Sequence, residues 1–155
     1  MECRNIGCAR DQPECAPRNQ AIRFGITGAR MFERVDTDRK PSTGTVSGVV
    51  KKGDLVLTVQ IPTVPETGKL VEGGIRAQAR QVFANLKQAM ESAGGSLADV
   101  MLVQVYIVDS NDWAVMHEVW GETFSAPFPS RATVVVKELM LEGMLIEIVV
   151  TAHLG

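Results

Sequence analysis

The chain has 155 residues, 45% of them hydrophobic and 22% charged, with a formal net charge of -2 at pH 7. That profile fits one globular domain with room for a tail, and the slightly acidic balance gives no general pull toward nucleic acid. No apolar run approaches the ~20 residues that span a bilayer, and residues 1–30 lack the apolar segment of a secretory signal, so a cytoplasmic protein is expected.

Residues 1–30 differ from the rest. They hold five arginines, no lysine, and all three cysteines (Cys3, Cys8 and Cys15), and they follow neither helix nor strand period. Met31 comes next, so 1–30 is expected to be an extension, either loosely attached or preceding the natural start, and 31–155 a single domain. An odd cluster of cysteines, with His117 and His153 far off in sequence, makes neither a disulfide framework nor a zinc site. Reduced thiols without function are expected.

From Phe32 the text becomes regular. Phe32–Val35 reads as a short edge strand, and Thr45–Val50 and Leu55–Ile61 as a hairpin turning on Lys51-Lys52-Gly53-Asp54. After the Pro62–Gly68 loop, Ile75, Ala79, Val82, Phe83, Leu86, Ala89, Met90 and Ala93 step by three and four, which predicts a helix over Ile75–Ala93, stopped by Gly94-Gly95. Val100–Val108 is a strand. Asp109-Ser110-Asn111-Asp112 supplies capping residues for a second helix, Trp113–Phe124. Pro127-Phe128-Pro129 holds the chain extended before a strand from Arg131 to Leu139, and the last strand runs from Met144 to Thr151.

The order β-β-α-β-α-β-β predicts an α+β fold, a mixed sheet with two helices on one face. Yet Val100–Val108 and Leu145–Thr151 are apolar on both sides. Two helices cover one face only, so a homo-oligomer is the simplest way to cover the second.

Few residues invite chemistry. Arg131 opens a strand after a rigid loop, where a guanidinium is well held to grip a carboxylate with both forks; a surface arginine at a strand end looks the same. Glu147 lies among Leu145, Ile146, Ile148 and Val149, and a buried acid needs a reason unless it points to a solvated rim. If the last two strands are antiparallel neighbours turning near Leu141, Glu147 faces Val135 or Val136, roughly 13 Å along the strand from Arg131. Direct contact within one subunit is not assured on that reading. A cleft between subunits could still collect both.

Thr133 shares the strand face of Arg131, as a hydroxyl donor or a plain β-former. His117 has the pKa range of a proton carrier, although a lone helical histidine is often structural. No phosphate loop, metal-ligand cluster or Ser-His-Asp arrangement is visible, and no cofactor is implied.

Five pieces in order resemble the Rid family, the reactive intermediate deaminases also called YjgF-like proteins. These are Gly53–Val56 leading to Gln60-Ile61-Pro62 and Glu66-Thr67-Gly68; Gln78–Gln81 with Asn85-Leu86-Lys87; Val108–Trp113; Pro129-Ser130-Arg131; and Ile146-Glu147-Ile148. The resemblance runs from about Gly44 to the C-terminus. It implies a chorismate-mutase-like homotrimer with three intersubunit clefts, and a cofactor-independent hydrolysis of 2-imino and 2-enamino acids to a 2-oxo acid and ammonia.

It also implies roles. Arg131 falls on the arginine that binds the substrate carboxylate, and Glu147 on the acid associated with the attacking water. Thr133 stands where many members carry cysteine, and His117 where many carry asparagine. Thr58-Val59 replaces a Ser-Gly of the best-studied members, so the substrate-binding lining at Thr58 and Val59 is altered, with valine narrowing the backbone approach. No tyrosine stands near Val46, where those members place one in the cleft; Tyr106 is the only tyrosine. The competing class is a non-catalytic trimer binding small acids as a regulator or chaperone-like partner. A ribonuclease or translation inhibitor ranks third, because the charge is acidic.

Overall fold

The computed structural model describes residues 31–37 and 45–155, so the extension expected over 1–30, with its three cysteines, lies outside the described residues. Six strands form one mixed sheet: β1 (Glu33–Arg34), β2 (Val49–Lys52), β3 (Leu55–Gln60), β4 (Val100–Ile107), β5 (Ser130–Val135) and β6 (Ile146–His153). Two helices join them, α1 (Gly74–Ser92) and α2 (Trp113–Thr123). The order across the sheet is β1-β2-β3-β6-β4-β5. Among the described residues no helix is long and apolar enough to cross a membrane.

The hairpin is tighter than the sequence suggests: Lys51 and Lys52 remain paired, and only Gly53-Asp54 turns. Gly53 has φ 58, a backbone that glycine adopts without strain. The strand opened by Arg131 ends at Val135 rather than Leu139. The largest departure is topological. The last two strands are not neighbours, because β4 lies between them, antiparallel to β6 and parallel to β5. The reason is physical: a strand, a helix and a strand make a crossover unit, which leaves β4 and β5 parallel. β6, apolar on both faces, then takes the centre of the sheet.

Both helices cover one face. Val56, Val103, Val105, Ile107, Ile146, Ile148 and Val150 point into the core beneath Ala79, Val82, Phe83, Leu86, Met116 and Trp120, all of them buried. Phe83 meets Trp120 and Phe124 edge-on, with ring centroids 6.0 and 5.8 Å apart, and these contacts join the helices. A register shift between Val100 and Leu102 lets Val100 share the covered face with Val103 and Val105.

Two buried polar residues interrupt the apolar stripe of α1, and each ties down a loop. Asn85 donates to the carbonyls of Ile61 and Thr63, both at 2.9 Å. Gln78 donates to Gly143 O at 2.9 Å and accepts from Leu145 N–H at 2.8 Å. Each satisfies backbone groups that would otherwise be stranded in the interior.

The opposite face of the single chain is open, as expected with helices enough for one face only. Leu55, Leu57, Val59 and Val134 are between 41% and 47% exposed there. Thr58, expected in a ligand-binding lining, points the other way. It is 4% exposed, donates to Gly48 O at 2.7 Å and accepts from Gln60 Nε2 at 2.6 Å. Thr58→Val keeps the shape and removes both bonds. The variant is expected to lose about 2 kcal/mol, read as a melting temperature lower by roughly 4–8 °C.

Candidate active site

The loop Pro127-Phe128-Pro129 delivers the chain to β5, where Arg131 pairs with Val103 of β4 and so points toward the helices. Its guanidinium lies over the Trp120 ring, 4.6 Å from the centroid, a favourable cation–π geometry. Arg131 Nη1 is 3.2 Å from His117 Nδ1. A guanidinium only donates, so Nδ1 accepts and the His117 proton sits on Nε2. His117 in turn stacks on Trp113, with centroids 5.0 Å apart and planes at 19°. Trp113, His117 and Trp120 thus form one helical stripe against which the arginine is braced.

Arg131 has no carboxylate partner among the described residues. Burial alone pulls its pKa below the usual arginine value, without discharging it at neutral pH. It opens onto a groove of about 640 Å³ lined by His117, Glu118, Trp120, Gly121, Phe128 and Pro129. Of the candidates named from sequence, His117 joins Arg131 here, and Thr133, half-buried two residues along, shares its side of β5. Trp120 and Phe128 were not singled out from sequence, although Trp113, His117 and Trp120 sit at i, i+4 and i+7.

Glu147 is elsewhere. It pairs with Tyr106, whose other neighbour is Val134, three residues beyond Arg131. Three is odd, so Arg131 and Glu147 occupy opposite faces of the sheet. Two interstrand steps and three residues along the strand separate their Cα atoms by roughly 14 Å. The expected placement of Glu147 opposite Val135 or Val136 is therefore wrong, because β4 intervenes. Glu147 shares the open face with Val149 and Val59, and burial raises its carboxyl above the usual carboxylate range. It has no hydrogen-bonding or charged partner among the described residues.

Among the described residues no three His, Cys, Asp or Glu side chains converge as metal ligands. The site therefore consists of a braced cation beside a groove, and an unpaired acid, its pKa raised by burial, on the far face. The profile of the endoribonuclease L-PSP family matches residues 37–154. The chain belongs to this family, which includes the RutC and Rid proteins.

A RutC family protein of Pyrococcus horikoshii is 42% identical over 125 residues, which cover 79% of this chain and 98% of that one. A 2-iminobutanoate/2-iminopropanoate deaminase of Dermatophagoides farinae is 39% identical over 97 residues, 62% of this chain and 76% of its own. The crystal structure of RidA from an Antarctic Psychrobacter superposes with a TM-score of 0.74 at 40% identity, covering 79% of this chain and 99% of the RidA chain. Membership of the L-PSP family agrees with the mixed sheet and two helices described above, and it includes proteins named as deaminases.

Proposed function

We propose that this protein is a hydrolytic deaminase of 2-imino and 2-enamino acids, working without a cofactor at clefts between the copies of a homotrimer. The observation that carries the reading is Arg131: a half-buried guanidinium fixed by Trp120 and His117, without a carboxylate partner among the described residues, beside a groove. Such a group suits bidentate capture of a substrate carboxylate. The deaminase names among the relatives support the reaction class.

Imines are already electrophilic, so positioning accounts for most of the catalysis required. Water adds through oxygen to C2 of the imine while Glu147 takes one of its protons and passes it to the imine nitrogen. The resulting carbinolamine collapses to the 2-oxo acid as the C–N bond breaks, its hydroxyl proton passing through Glu147 to the departing ammonia. Arg131 and Glu147 stand on opposite faces of one sheet, so this division of labour needs the acid of a second copy. The apolar open face, with Leu55, Leu57, Val59 and Val134 exposed, provides the surface on which copies would meet.

The same separation favours the second reading, a small-acid binder without turnover, because one protomer holds an anchor without its acid. The ribonuclease reading is weaker: Glu118 borders the groove and the net charge is -2. The deciding experiment generates 2-imino acids in place with an amino-acid oxidase and follows 2-oxo acid and ammonia. Release dependent on Arg131 supports the enzyme, whereas saturable binding without release supports the binder. Sedimentation at micromolar concentration is expected to give a trimer, and a well-folded monomer would remove the intersubunit cleft.

A further inference from the structure

Gly121 is an anomaly in α2. It lies inside the helix, exposed, one turn after His117, and lines the groove beside Arg131. A glycine inside a helix weakens it relative to alanine, so its presence calls for a local reason. Packing supplies none: a Cβ placed there meets nothing within 4 Å, and the backbone is ordinary helix. Gly121 borders the groove, four residues after His117 and so on the same side of α2.

From this we infer that Gly121 is a specificity-determining residue, and that its missing side chain admits substrates with a large apolar or aromatic side chain. This rests on the proposed deaminase reading, in which Arg131 pins the carboxylate at one end of the groove. From that anchor the remainder of the substrate must run along Trp120, Phe128, Pro129 and Gly121. Phe128 is 58% exposed, an apolar wall without a covering residue of its own among the described residues. On one protomer the groove offers about 640 Å³, more than a three-carbon acid fills. Glu118 at the rim, ion-paired with Arg76, disfavours a second carboxylate on the substrate. The class is therefore monocarboxylic imino acids derived from amino acids such as phenylalanine or leucine.

The test compares the unsubstituted protein with Gly121→Ala and Gly121→Leu. Imino acids are generated in place from phenylalanine, leucine and alanine, and kcat and KM for 2-oxo acid formation are measured separately. The unsubstituted protein is expected to prefer the phenylalanine-derived substrate over the alanine-derived one by about 10-fold or more in kcat/KM, the order of discrimination given by a few methylenes in an apolar pocket. Gly121→Leu is expected to abolish that preference, mainly through KM. Gly121→Ala should reduce it in part, while raising the melting temperature by about 2–3 °C through better helix propensity. Titration with phenylpyruvate and pyruvate should show the same order in binding.

A protein that prefers the alanine-derived substrate, or a Gly121→Leu variant with an unaltered preference, overturns the inference and leaves the deaminase reading standing. Absence of turnover on every imino acid overturns the deaminase reading, and the inference with it.

Discussion

Arg131→Ala is expected to lower imino acid hydrolysis by about 10²-fold or more, in line with roughly 3 kcal/mol for a charge-assisted pair lost near reacting atoms. Arg131→Lys keeps the charge but neither the fork nor the stacking over Trp120, so it should recover only part of the activity. Neither variant should unfold. The side chain is half-buried and its main packing is one cation–π contact, so the loss is about 0.5–1 kcal/mol, a fall of roughly 1–4 °C in melting temperature. Coupled turnover, sedimentation and thermal melts together separate the outcomes. Unaltered turnover would remove the deaminase assignment from this groove, and dissociation of the oligomer would make Arg131 an interface residue.

Glu147→Gln carries the second large effect. If Glu147 is the base for water, the variant should lose about 10²–10⁴-fold in kcat while still binding a 2-oxo acid product, because it acts on water rather than on the carboxylate. The pH profile sharpens the test. Burial raises the Glu147 pKa, and the base works only when ionised, so kcat should fall as pH drops through a value above the usual glutamate range. That acidic limb should vanish in the glutamine variant. The stability sign runs the other way: a raised folded pKa favours the fold below the unfolded value, and that gain is lost as pH rises through the folded one. At neutral pH the glutamine variant is therefore expected to melt no lower than the unsubstituted protein. An acidic limb that persists in Glu147→Gln would move the base to another residue.

Much of the fold was legible because the patterning is strong. The stripe from Ile75 to Ala93 announced α1 to within a residue at either end, and the two-faced strands Val100–Val108 and Leu145–Thr151 announced a sheet face that the helices leave open. The order of the last strands was not read correctly. Adjacency in sequence suggested that they pair, although the two-faced apolar run of β6 already marked it as a central strand. That single error of adjacency misplaced Glu147 relative to Arg131.

Gln78 and Asn85 were equally hidden, since their partners are loop carbonyls and a loop amide rather than side chains with a pattern. At the site, Arg131 and His117 were named from sequence and do meet. Trp120 escaped notice because an aromatic residue on the buried face of a helix reads as core, which it also is.

The stripe that braces Arg131 has an optical consequence. The chain has two tryptophans, and both belong to that stripe: Trp113 stacks on His117, and Trp120 lies beneath the guanidinium. All indole emission therefore originates within one helical turn or so of the groove, beside a guanidinium and an imidazole. Under the proposed capture, a carboxylate arriving at Arg131 would alter the field over the Trp120 indole. Unlabelled protein is thus expected to report occupancy of its own groove as a change in fluorescence, with no background from distant tryptophans.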